Sequence, residues 1–120
     1  MAITVEGMIH PVLKHSCDSM GWPYDHIDTK KRKQEHVEAR QLLMFWMKES
    51  LGFSWVKIAE IFGQNHSTII SGYDKAKHKL SRDEEYRIEL VLLSIRTESL
   101  FWSSVDAREI IRKYLLPKKK

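Results

Sequence analysis

Apolar residues recur at three- and four-residue intervals through most of the 120-residue chain, and no strictly alternating run exceeds a few residues. That spacing puts apolar side chains on one face of a helix, whereas a half-buried strand needs a period of two. Five glycines and three prolines leave few places to interrupt such helices. The expected fold is all-α: one compact domain over 1–120 with about six helices, two of them forming a helix-turn-helix. At 42% apolar content a chain of this length can bury one core.

The expected helices follow from local signals. Ile9, Val12, Leu13, Cys17 and Met20 form a first stripe, with Pro11 in the opening turn and Gly21 at the end. Residues 21–33 read as a connection with one short helical turn near Tyr24 to Ile27. A second stripe from His36 runs through Val37, Leu43, Met44, Met47 and Leu51 to Gly52. Ser54 can cap a two-turn helix, Trp55 to Phe62, with Ile58, Ala59 and Phe62 on one face and Gly63 closing it. The pattern restarts after Asn65, and Ile69, Ile70, Tyr73 and Ala76 form a stripe that reaches Lys79 or Leu80. Ser81 and Glu84 have capping-box spacing for a helix through about Thr97. Ser103 to Asp106 repeats the device before a last helix over about 103–116, and a basic tail occupies 117–120.

Charge is concentrated. Lys30, Lys31, Arg32 and Lys33, with Lys118, Lys119 and Lys120, carry seven positive charges, which leaves the remainder at −3 of a net +4. Such clusters suit a polyanion, and a solvated linker and tail would give the same pattern. A lone cysteine forms no internal disulfide, and no signal-peptide pattern opens the chain; a cytoplasmic, nucleoid-associated setting is expected. No apolar run approaches the roughly 18 residues of a membrane span.

Two short helices joined by a tight turn, the second starting with small polar residues, have the geometry by which a helix enters the major groove of DNA. Ala59 leaves room for a close crossing, Gly63 permits the turn, and Ile58, Phe62 and Ile69 would lock the pair. Asn65, His66, Ser67 and Thr68 stand where base edges would be met. Ordinary helix capping by Asn65 or Ser67 accounts for the same residue types, and any helical hairpin needs a turn glycine.

The stretches Ala39-Arg40-Gln41, Ile58 to Gly63, and His66 to Ile70 followed by Lys75, with the basic loop before them, resemble the C-terminal DNA-binding domain of the bacterial chromosomal replication initiator DnaA. The likeness spans about 9–98. It implies double-stranded DNA as partner, with Arg32 in the minor groove and Asn65, His66, Ser67 and Thr68 reading the major groove. Lys30, Lys31, Lys33, Gln64, Ser71 and Lys75 would hold phosphates. The chain departs from the family at Gly63-Gln64-Asn65, which is one residue shorter, lacks an arginine and carries an amide in place of a carboxylate. An amide suits adenine better than cytosine. Ser71 stands where a second histidine is common. No Gly-x-x-x-x-Gly-Lys-Ser/Thr occurs, so a free-standing domain without the ATPase module is expected, with no nucleotide or other cofactor.

Catalysis is not expected. His10, His15, Cys17, Asp18 and His26 match no usual zinc spacing, so no metal is assigned. Asp83-Glu84-Glu85 suits a helix start. Cys17 reads as core, and His36 and His78 read as surface. The rival function is a protein-interaction module that uses Trp46, Trp55, Phe101 and Trp102, or self-association through the last helix.

Overall fold

The computed structural model describes the backbone of residues 10–101 and the side chains of residues 10–97. Five α-helices follow in order: α1 (Pro11–Met20), α2 (Gln34–Glu49), α3 (Trp55–Phe62), α4 (His66–Leu80) and α5 (Glu84–Phe101). A single 3-10 turn, Tyr24–Ile27, sits between α1 and α2. No strand occurs among the described residues. The expected last helix and basic tail lie outside them.

Helix α2 is the axis of the fold, packing against α4 above all, with α1, α3 and α5 around them. It is apolar on nearly every side in its second half, where Leu42, Leu43, Met44, Phe45, Trp46 and Met47 are all buried. A helix apolar all round must be enclosed. Leu13 and Cys17 of α1, Ile58 and Phe62 of α3, Ile69 and Ala76 of α4, and Leu90 and Leu93 of α5 complete one core. Burial pushes the Cys17 thiol up to about 12, which leaves it a small apolar core residue.

Gly72, in the middle of α4, is the point where that helix crosses α2. A Cβ built there would run into Met44 Sδ and approach Gln41 Cγ at 3.5 Å. A close crossing was expected at Ala59; the one the structure shows is at Gly72. Polar ties reinforce the α2–α4–α5 contact. Lys79 Nζ lies 3.0 Å from Glu38 Oε2 and 3.2 Å from Asp83 Oδ2, and Tyr86 Oη donates to the Glu38 carbonyl at 2.6 Å.

Four expectations are corrected. Asp83, not Ser81, caps α5: its Oδ1 accepts from the Tyr86 amide at 3.1 Å, while Ser81 closes α4 and donates to the His78 carbonyl. A carboxylate at the cap also complements the helix dipole. Ile70 leaves the apolar stripe of α4 and is 38% exposed. His36, surrounded in sequence by charge, is buried because α2 turns it inward onto His26. The helix expected to end at about Thr97 runs on to Phe101.

Candidate nucleic-acid interface

The turn between α3 and α4 is encoded locally at each step. Ser54 Oγ accepts from the Lys57 amide at 3.1 Å and starts α3. Gly63 ends it in the left-handed region, at φ 66° and ψ 36°, where a side chain would strain the backbone. The Gln64 amide then returns to the Ala59 carbonyl at 3.0 Å. Asn65 caps α4, its Oδ1 accepting from the Thr68 amide at 2.9 Å and from Ser67 Oγ at 2.9 Å. Buried Ile58, Ala59, Phe62 and Ile69 lie in the common core, as the sequence requires of a rigid pair, while Gly63 at the turn is exposed.

The cap defines what Asn65 can offer. Its carbonyl oxygen already accepts two bonds at the helix start, so what the exposed side chain has left to offer is its amide N–H donors. His66, Ser67 and Thr68 are exposed with it, as are Ser71 and Lys75 further along α4. Gln64 is half-buried.

The basic loop is built from the other side. Asp28 opens it with a turn: its Oδ1 accepts from the Lys30 amide at 3.0 Å and its carbonyl accepts from the Lys31 amide at 2.9 Å. Arg40, buried in α2, reaches back into this turn. Nη1 donates to the Asp28 carbonyl and Nη2 to the Lys31 carbonyl, each at 2.8 Å. Burial, with the charge of nearby Arg32 adding to it, pulls Arg40 below its usual value. Lys30, Lys31, Arg32 and Lys33 all remain exposed.

Loop and helix meet in one cleft of about 370 Å³, lined by Arg32, Arg40, Gln41, Gln64, Ser67, Thr68, Ser71 and Lys75 over a floor of Val37, Met44 and Gly72. Six residues singled out from the sequence come together here: Arg32, Gln64, Ser67, Thr68, Ser71 and Lys75. Among the described residues three cations line the cleft and no carboxylate does. Like charges gathered without a counter-charge favour an anion in their midst. Asn65 and His66 sit beside the cleft at the start of α4, whereas Lys30, Lys31 and Lys33 do not line it. Arg40 and Gln41 were noted in the sequence for resemblance alone. Nothing in the local spacing distinguishes a buried, loop-anchoring arginine from a surface one.

A second depression, of about 660 Å³, runs along the outer face of α4 past Ile70, Ser71, Asp74, Lys75 and His78. The aromatic surface raised as a rival is dismantled in part. Trp46 is fully buried, and half-buried Trp55 packs edge-on against Tyr73 at 5.2 Å beneath Lys48. Among the described residues these rings form no exposed aromatic patch.

Two helices joined by a three-residue turn, the second exposing its polar start beside a cationic loop, define a helix-turn-helix protein. Residues 9–76 match the family described as bacterial dnaA protein helix-turn-helix, and the chain belongs to that family. It is 30% identical over 95 residues to the chromosomal replication initiator protein DnaA of Thermomicrobium roseum, an alignment covering 78% of this chain and 20% of that protein. It is 43% identical over 65 residues to the protein of the same name from Streptococcus pyogenes, covering 53% and 14%. The chain thus spans a fifth or less of the length of these relatives. No solved structure matches the chain. No described helix is long and apolar enough to cross a membrane.

Proposed function

We propose that the chain binds double-stranded DNA with sequence preference, as part of replication initiation or its control, and does no catalysis. The observation that carries this reading is the cleft in which Arg32, Arg40 and Lys75 gather beside the exposed start of α4, with no carboxylate among the described residues that line it. The start of α4 enters the major groove, and the loop lies over the adjacent minor groove with Arg32 inserted, where negative potential is concentrated. His66, Ser67 and Thr68 read base edges. Asn65 reads as a donor only, through its amide N–H groups, since its oxygen caps the helix. Purine N7, guanine O6 and thymine O4 are the acceptors open to it in the major groove. Lys30, Lys31, Lys33, Gln64, Ser71 and Lys75 hold phosphates and set the register.

Duplex binding titrated against salt tests the reading. Neutralising phosphates releases counterions, so log K falls with log salt at about −0.9 per phosphate contacted. Lys31→Ala should weaken all duplexes about equally and make the slope shallower by about one. Affinity indifferent to salt would contradict the reading and favour an apolar protein contact.

A further inference from the structure

Beneath the basic loop, two imidazoles that the DNA reading does not use face each other. His26, in the 3-10 turn, and His36, in the first turn of α2, have their Nδ1 atoms 2.8 Å apart and their ring centroids 4.8 Å apart at 64°. Both are buried. The exposed Glu35 side chain stands beside them, and one ligand atom from each of the three residues falls within 4.8 Å of the others. The spacing is invisible in sequence because one ligand comes from the connection and two from the following helix.

We propose that His26, His36 and Glu35 form a binding site for a divalent transition metal, Zn²⁺ in the first instance. Two imidazole nitrogens and a carboxylate are a borderline ligand set that suits Zn²⁺ well and Ca²⁺ or Mg²⁺ poorly. The contact at 2.8 Å is a hydrogen bond in which one Nδ1–H donates to the other ring's Nδ1 lone pair. Binding requires both Nδ1 atoms unprotonated, so the donor ring, neutral with its single proton on Nδ1, changes tautomer: it gives that proton to solvent and takes one from solvent on Nε2, with no net release, and both rings end neutral with the proton on Nε2. At metal–nitrogen distances of about 2.0–2.1 Å in tetrahedral geometry the two nitrogens must sit ~3.3 Å apart, a ring movement of about half an ångström. The exposed carboxylate can close from the solvent side, leaving a fourth position for water.

The surroundings bear on the charge. Arg40 approaches the His26 carbonyl at 3.5 Å, and the positive end of α2 lies at the site; both oppose a cation. The carboxylates of Glu35 and Asp25 act on His26 in the opposite sense. An ion here would tie the start of α2 to the segment that leads into the loop of Lys30 to Lys33. The proposal is independent of the DNA reading, since it concerns binding of the ion alone.

The test is calorimetric titration of Zn²⁺ into chelator-stripped, dialysed protein. One equivalent should bind at micromolar affinity or tighter and raise the thermal midpoint as the free ion increases. His26→Gln and His36→Gln should each weaken binding by at least about tenfold, and Glu35→Gln by less. Long-range proton–nitrogen NMR of the unmodified protein supplies the second readout, free of any folding defect in the variants. On adding Zn²⁺ the Nδ1 resonances of both His26 and His36 should move together. Absence of saturable binding would overturn the proposal. So would binding that survives both histidine substitutions, or Nδ1 signals that stay in place while other histidines shift.

Discussion

Arg40 Nη2 donates to the Lys31 carbonyl at 2.8 Å, so a buried guanidinium in α2 fixes the backbone of the loop that carries Arg32. The second donor, Nη1, holds the Asp28 carbonyl at the same distance, and together the two bonds span the turn. A planar fork reaches two carbonyls at once; an ammonium is a single point. Arg40→Lys and Arg40→Gln should therefore both destabilise the fold by about 1–3 kcal/mol, since carbonyls are left without their charged donor. Duplex affinity should fall with them. Chemical denaturation and DNA titration of the same variants check this. A lysine variant equal to the parent in both would show that the loop holds its shape without the fork.

Gly72 is where α4 and α2 touch, and an alanine there collides with Met44. Alanine gains about 1 kcal/mol of helix propensity over glycine, while overpacking a fixed crossing costs about 1–3 kcal/mol. The collision is expected to win, so Gly72→Ala lowers stability in urea unfolding. In a Met44→Ala background the same substitution should cost less or become stabilising, because the clashing sulfur is gone.

Asn65 has two separable parts, an oxygen spent on the cap and an amide N–H pair that the cap does not use. Asn65→Asp keeps the capping oxygen and adds a favourable charge at the helix start, so its thermal midpoint should match or exceed that of the parent. It loses the amide donors. Base preference at one position should then move toward the cytosine amino group, by about 1–3 kcal/mol, in a panel of single-site duplex variants. Asn65→Ala should lose the preference and about 1 kcal/mol of stability as well.

Acid should loosen the α2–α4–α5 contact. For Glu38, burial alone would raise the carboxyl, but hydrogen bonds from Gln34 and Lys79 override it and the net shift is downward. The Tyr86 amide, and then Lys79, hold Asp83 down too. Groups depressed in the folded state contribute stability that is present above the unfolded values near pH 4 and is lost as pH falls through the lower folded ones. Lys79→Met should flatten that acid limb, measured as unfolding free energy between about pH 6 and pH 2. The Lys79–Glu38 pair is partly exposed, so its share is modest, below about 1 kcal/mol.

The helix-turn-helix was legible because each of its boundaries is set by a neighbour in sequence: Ser54 before α3, Gly63 after it, Asn65 before α4. Cys17 as core and the short turn at Tyr24 to Ile27 were readable for the same reason. What escaped is tertiary. The capping-box spacing of Ser81 and Glu84 was a sound local pattern, yet Asp83 won because Lys79, a turn earlier, draws its carboxylate into place. His36 and Arg40 have the composition of surface residues, and only the packing of the connection over α2 turns them inward, the first onto His26 and the second onto bare carbonyls. Ile70 shows the converse, an apolar residue at helical spacing that faces out along α4. The cleft itself was half visible: its polar members could be named, but not that Arg40 and Gly72 shape it.

Selection from a random duplex library at near-physiological salt, with the parent, Arg32→Ala and His66→Ala proteins in parallel, is the measurement that decides whether the chain reads DNA sequence. The parent should enrich a motif that collapses in both variants, since each removes a side chain proposed to read bases and leaves those proposed to hold phosphates. No enrichment for the parent, or a motif that survives both substitutions unchanged, would contradict it.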